Sequence, residues 1–394
     1  MLTLYNATLF TMDPALSRGT GCCGVLEPGW IVIKDGRIFE IGFGKELPAD
    51  RGEAVDIGGK IITPGLIDAH THLGLYEEGR AKEGDDTNEI SAPVTPILRA
   101  LDGISPRDPG LKDARENGVT VVCTLPGSTN VIGGIGVALK TVGSVVDEMV
   151  ISFRSGLKVA FGENPKRTYG ERKKSPSTRM AVAALLREAL VKAQVSKSSD
   201  NERDLVFEVF KEVLDGRMPL RVHAHRADDI MTAIRVAEEF SVPLVLEHCT
   251  EGHYVAREIA ARGIPAIYGP MFIGRVKQEL GERLDSTPAV LSEAGVKLAL
   301  STDHPEISIK YLPLCAAVAA REGLPKSAAL QAITINAAEI LGIADRVGSL
   351  SPGKDADLVV WSGDPIDVGS RVEMVMIDGN MVFDRREGSP LGVS

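Results

Sequence analysis

The chain has 394 residues, 44% of them hydrophobic and 25% charged, a balance that supports folded cores and excludes an intrinsically disordered protein. Its 44 basic and 54 acidic side chains leave a net charge of -10 and a pI near 5.4, which argues against nucleic acid or an anionic membrane surface as the principal partner. Five cysteines, Cys22, Cys23, Cys123, Cys249 and Cys315, are odd in number and form no CxxC, so reduced thiols of a cytoplasmic protein are expected, the adjacent Cys22-Cys23 being incidental. Met1 to Tyr5 carries no basic stretch leading into an apolar run, and no window approaches the length of a membrane span, so neither secretion nor a transmembrane helix is expected.

Residues 1 to 60 read as short strands and turns. Leu2-Thr3-Leu4-Tyr5 and Trp30 to Ile38 are strand-like, and Asp35-Gly36 signals a hairpin, since both central residues of so tight a turn need positive φ. The far end repeats the pattern: Ala356 to Trp361, then Met374 to Phe383 around Asp378-Gly379. Neither end has enough strands to bury a face alone. Residues 1–60 and 347–394 are therefore expected to combine in one small β-sandwich domain.

Residues 61–346 alternate strands with helices, the pattern of a parallel sheet with helical crossovers and of an α/β (β/α)8 barrel. Ile61 to Leu75 opens it as a buried strand running out into Asp68-Ala69-His70-Thr71-His72. Seven further candidate strands follow: Val119 to Thr124, Val137 to Val142, Leu157 to Phe161, Leu220 to His225, Pro243 to His248, Ile264 to Tyr268 and Lys297 to Thr302. Apolar stripes at helical spacing mark Thr178 to Val195, Ile230 to Phe240, Tyr254 to Arg262 and Pro288 to Gly295 as outer helices.

In such a barrel the active site lies at the C-terminal ends of the strands. His70 and His72, two apart on one strand, can share one face and offer nitrogens to a single cation at about 2 Å. Leu220-Arg221-Val222-His223-Ala224-His225 ends the fifth strand in a second HxH, Leu244 to His248 ends the sixth in His, and Leu298 to His304 ends the eighth in Asp303-His304. Six of the seven histidines fall at these four strand ends, which points to a shared metal site. His253 and His304 read as solvated loop residues.

On the motifs TPGLIDAHTH, the later His223 and His248, STDH around Asp303 and the closing TINAAEILGIADRVGSLSPGKDADLVVW, the chain resembles the amidohydrolase superfamily of metal-dependent hydrolases, within it the imidazolonepropionase-like and prolidase-like group. The resemblance spans nearly the whole chain. It implies a barrel with a small β-sandwich from both termini, a divalent cation, zinc first, and a ligand set of His70, His72 and Asp303, with His223 and His248 holding a second metal or orienting substrate. A strand-end lysine often bridges two metals as a carbamate in this family, and Lys158 is the candidate, since burial beside cations favours the neutral amine that carbamate formation needs. Imidazolonepropionase typically uses one metal without that lysine, so the resemblance leaves one or two cations open.

The chemistry expected is hydrolysis of an amide, cyclic amide or peptide-like C–N bond, with Asp303 as general base and His225 donating to the developing oxyanion or supporting the metal site. Deaminases of the family usually carry Glu three residues after the fifth-strand histidine, where this chain has Arg226. That counts against the alternative of an aminohydrolase, and retention of the whole ligand set counts against a non-catalytic scaffold. The basic stretch Gly162 to Lys174 is either a solvated face or a holder of substrate carboxylate. The glycine-rich Pro126 to Gly136, which has neither GxGxxG nor a P-loop signature, reads as active-site wall, and the acidic Glu77 to Glu89, with Asp85-Asp86, as solvated charge first, with reach to the site mouth or a surface cation as the alternatives. A small-molecule substrate is the partner expected, and a homo-oligomer is compatible with the sequence.

Overall fold

The computed structural model describes residues 1–16, 24–195 and 204–386, so Cys22 and Cys23 lie outside the described residues. Five strands open the chain: β1 (Leu2–Phe10), β2 (Val25–Lys34), β3 (Arg37–Phe43), β4 (Glu53–Asp56) and β5 (Ile61–Pro64). Eight more make a second sheet: β6 (Leu66–Thr71), β7 (Val119–Thr124), β8 (Ile132–Lys140), β9 (Val150–Ala160), β10 (Leu220–Ala224), β11 (Leu244–His248), β12 (Ala266–Tyr268) and β13 (Leu298–Leu300). The chain then returns to the first sheet with β14 (Leu358–Trp361), β15 (Val372–Ile377) and β16 (Asn380–Asp384).

β5 joins the two ends of the chain. It runs parallel to β1, with Thr8 opposite Ile61, and antiparallel to β14, with Val359 opposite Thr63, in the order β16-β15-β14-β5-β1-β2-β3. Leu4, Leu9, Ile31, Ile33, Ile62, Leu358, Val360 and Met376 bury one shared core, which neither end could supply alone. Both Asp-Gly turns adopt the expected left-handed pair, with φ of 50° and 76° at Asp35 and Gly36 and 50° and 72° at Asp378 and Gly379. The stretch Ile61 to Leu75 is thus not one strand. It divides at Gly65, whose N–H donates to Asp357 O, while the next residue, Leu66, donates to Gly118 O.

The second sheet is a nearly closed eight-stranded barrel in the order β6 to β13. Its edge strands meet through side chains: the Asp68 carboxylate accepts the Thr302 N–H at 3.0 Å and the Thr302 hydroxyl at 2.6 Å. Burial lifts the Asp68 carboxyl to about 7 against those hydrogen bonds. One expectation fails at β8, which runs antiparallel to both β7 and β9. Parallel neighbours need a crossover of a dozen or so residues, and the links 125–131 and 141–149 are too short, the second holding only the helical turn Val146–Met149.

The outer helices form as their periodicity predicts, Arg179–Val195, Ala227–Phe240, Ala256–Ala261 and Thr287–Glu293, joined by Leu205–Leu214 and Leu312–Arg321. They cover the outward side chains of the barrel, leaving Ile67, Ala69, Val121, Cys123, Val245, Ile267 and Ala299 inside. An ionic cluster ties barrel to terminal sheet: the buried Lys140 Nζ lies 2.9 Å from the buried Asp355, 3.0 Å from the buried Asp357 and 2.5 Å from the half-exposed Asp378. No helix among the described residues is long and apolar enough to cross a membrane.

Candidate active site

Strand alternation decides which residues enter the barrel mouth. On β10, Leu220, Val222 and Ala224 pack outward under helices, which turns Arg221 and His223 inward. On β11, Leu244 and Leu246 pack outward and Val245 and Glu247 inward, so His248 would next face away from the site. A left-handed backbone at φ 67° brings it back, and Asp303, at φ 53°, is held the same way. Such conformations are costly for residues other than glycine and concentrate at functional sites.

Two groups of donors result. Nε2 of His70 and Nε2 of His72 each lie 3.4 Å from the same oxygen, Oδ1 of Asp303. His223, His225 and His248 form the second group, their ligand atoms within 4.8 Å of one another. The groups adjoin, since the His70 and His248 ring centroids are 4.8 Å apart and Asp303 Oδ2 lies 3.8 Å from His248 Nδ1. Lys158 projects inward from β9, fully buried, its Nζ 3.2 Å from His70 Nε2. Burial lowers its ammonium to about 8, and its charge in turn depresses His70, His223 and His225.

Hydrogen bonds fix the orientation of the rings. Nδ1 of His72 donates to Leu125 O at 2.7 Å, that of His248 to Gly269 O at 2.8 Å, and that of His70 to the Glu247 carboxylate at 2.7 Å. Each leaves Nε2 as a bare lone pair. Glu247 is anchored by Arg221, which also donates to Ala69 O at 2.8 Å and Ser155 O at 3.2 Å, every one of these groups being buried.

Burial pushes His70 and His225 down to about 4 and His223 and His248 well below the ordinary imidazole value, so the rings are neutral near pH 7. Burial alone would raise Asp303, but the surrounding His248, His72 and His70 hold its carboxyl far below the usual range, and it stays ionised. The centre is thus an ionised carboxylate among neutral nitrogen acceptors. Asp303 Oδ1 and both nitrogens of His223 have no hydrogen-bond partner among the described residues.

That donor set fits a divalent cation. Ligands of a tetrahedral zinc with bonds of about 2.05 Å stand about 3.3 Å apart, and the two separations from Asp303 Oδ1 to His70 and His72 nearly meet that spacing as they stand. As an ammonium, Lys158 can only donate to the lone pair on His70 that a cation needs; as a carbamate it would present carboxylate oxygens there instead.

A cleft of about 370 Å³ opens over the donors, lined by Asn88, Ser128, Asn164, Arg167, Lys277 and Glu306 among others. Of the basic stretch 162–174, part folds as the helix Glu163–Gly170, and Arg167 is the cation that reaches the cleft. Gly127 to Thr129 of the glycine-rich loop line the wall, as does Asp85 of the acidic loop, its carboxylate capping Thr87 N–H at 3.1 Å. His304 is not solvated but fully buried, its backbone carbonyl accepting the His72 N–H at 2.8 Å. His253 is half-buried on Thr287, outside the cleft.

Glu247, Arg221, Asp68 and Glu279 are site residues that the sequence reading passes over. A charge inside an apolar strand, as in Leu244-Val245-Leu246-Glu247-His248 and Leu220-Arg221-Val222, is the signal for the first two, since a buried charge needs a partner. Glu279, in a loop of mixed charge, gives none.

The amidohydrolase family profile matches residues 61–382. The chain is 31% identical over 424 residues to Amidohydrolase tasK of Hapsidospora irregularis, which covers 97% of this chain and only 43% of that protein, so the chain spans less than half of this relative's length. It is 28% identical over 396 residues to the imidazolonepropionase of Paracoccus denitrificans, covering 92% of this chain and 93% of that one. A crystal structure of an amidohydrolase from Thermotoga maritima MSB8 is 44% identical and superposes with a TM-score of 0.91, covering 98% of this chain and all of that one.

Proposed function

The chain belongs to the amidohydrolase family, and from that premise we propose that it hydrolyses the C–N bond of a small amide, cyclic amide or dipeptide-like substrate, with Asp303 as general base. The observation that carries the reading is the convergence of His70, His72 and the ionised, unpartnered oxygen of Asp303 at ligand spacing on the floor of an open cleft.

His70, His72 and Asp303 would hold one divalent cation, zinc by the nitrogen-rich set, with a carbamate on Lys158 as a further oxygen donor beside His70, and His223 and His248 would belong to a second. A bound cation supplies Lewis acidity toward the scissile carbonyl and lowers the pKa of water toward neutrality. The remaining work falls to this chain's own groups. Asp303, fixed by its left-handed backbone, takes a proton from the attacking water and passes it to the leaving nitrogen. Arg167 and Lys277 at the cleft wall favour a substrate carrying a carboxylate, which suits N-acyl amino acids, dipeptides and acidic cyclic amides. The similarity to an imidazolonepropionase supports the cyclic amides. Deamination is disfavoured because Arg226, its guanidinium engaged by Asp228 at 2.9 and 3.0 Å, stands where deaminases of the family usually carry Glu.

Residues 1–60 with 347–394 are read as one composite domain and 61–346 as the catalytic barrel. The two separate sheets support the division, with the seam at Gly65 rather than Ile61.

The test is a hydrolysis screen of zinc- and manganese-loaded protein against N-acyl amino acids, dipeptides and cyclic amides, read by appearance of the new amine or carboxylate. Turnover in one class that disappears in D303N is expected. A fully metal-loaded protein with no turnover in any class would sink the proposal.

A further inference from the structure

Glu279 lies in the short turn Gln278–Leu280 after β12, at a distance in sequence from every histidine of the site. Its side chain is 1% exposed and held at one end: Oε2 accepts the Glu163 N–H at 2.9 Å. The adjoining Gly162, at φ +84°, makes the room, because a Cβ there would come within 2.7 Å of that oxygen. Oε1 is left without a hydrogen-bond partner among the described residues, 3.6 Å from His225 Nε2 and 3.9 Å from His223 Nε2.

His223 likewise has no partner for either ring nitrogen, and His225 is tethered through Nδ1 to Thr250 Oγ1 at 2.7 Å, which aims Nε2 at the same space. A buried carboxylate facing unbonded imidazoles is expensive unless a cation lies among them. Among the described residues no lysine or arginine pairs with it.

We propose that His223, His225 and Glu279, with His248 beside them, hold a divalent cation as a four-donor set, distinct from the cation at His70, His72 and Asp303. The inference rests on the two-group reading of the active site. Three nitrogens and one carboxylate oxygen close a tetrahedral shell, and closed shells hold a metal in place rather than offer it to substrate. The open shell with an unpartnered Asp303 oxygen is then the reacting one. This replaces the oxyanion-donor role expected for His225, because a ring whose Nε2 lone pair binds a cation has no proton there to donate.

Zinc alone is the probe. Anomalous difference maps from zinc-loaded wild-type crystals are expected to show two peaks, one within about 2.2 Å of both Glu279 Oε1 and His225 Nε2. Metal-free E279Q titrated with zinc should bind its second equivalent at least about 100-fold more weakly than wild type, with the first unchanged. A lone peak at His70, His72 and Asp303, a second peak beyond bonding reach of Glu279, or an E279Q titration that matches wild type overturns the assignment. A peak at Glu279 with none at Asp303 would support it while sinking the catalytic reading. Empty maps would sink both.

Discussion

Oε2 of Glu247 lies 2.7 Å from Nδ1 of His70, and this contact, rather than any ligand atom, decides which way the His70 lone pair faces. The other Glu247 oxygen is bonded to Arg221, so one buried carboxylate both orients a ligand and neutralises a guanidinium.

Glu247→Gln is therefore expected to cost about 3–5 kcal/mol of stability, by leaving Arg221 unpaired in the barrel, and to weaken cation binding about 10–100-fold. Adding Arg221→Met should restore most of the stability and none of the cation affinity, because the unpaired charge is gone while His70 still lacks its anionic partner. Denaturant unfolding and chelator competition on the single and double variants separate the two effects. Recovery of both together would refute the orienting role.

Asp303→Asn keeps the shape of the side chain and removes its basicity. A loss of about 10²–10⁴ in kcat is expected, with thermal stability close to wild type. Wild-type kcat in this variant would remove Asp303 from its role as base.

With Lys158 lowered to about 8, roughly a tenth of the amine is neutral near pH 7, and that fraction grows as pH rises toward 8. Bicarbonate should accordingly increase zinc uptake more at the higher pH, an effect absent in Lys158→Met. Zinc binding by the wild type that is indifferent to bicarbonate across this range would leave the carbamate without support.

Arg167 is the cation of the basic stretch that reaches the cleft. Arg167→Met should raise KM for carboxylate-bearing substrates by roughly 10–100-fold, as loss of a charged hydrogen bond does, and leave uncharged amides little changed. Equal effects on both substrate types would return the whole stretch to the role of a solvated face.

Burial raises the Asp357 carboxyl to about 6 from its ordinary 3.8, against the attraction of Lys140. Between those values the folded chain keeps a proton that the unfolded chain has released, so this group's contribution to stability falls as pH rises from about 4 through 6. Asp357→Asn has no such proton to lose. Urea unfolding of metal-free protein should show the variant faring better, relative to wild type, near pH 7 than near pH 4. A stability difference that is flat with pH would contradict it.

What the sequence determined by itself is local or repetitive. The two Asp-Gly hairpins, the amphipathic helices and the apolar strands ending in His70, His223, His248 and Asp303 are written in short-range pattern, and strand ends in an alternating chain have a known place to gather. The tertiary structure decided whatever depends on distant neighbours. Periodicity carries no strand direction, so the inversion of β8 followed from link lengths between strands. Pattern likewise assigned Ile61–Pro64 to the barrel, but pairing with β1 and β14 claimed them for the terminal sheet. The charges that support the site are the clearest case. Arg221, Glu247 and Glu279 are separated by tens of residues, and only the closed sheet and the turn after β12 bring them under and beside the histidines, where burial makes each charge depend on a partner that no local signal names.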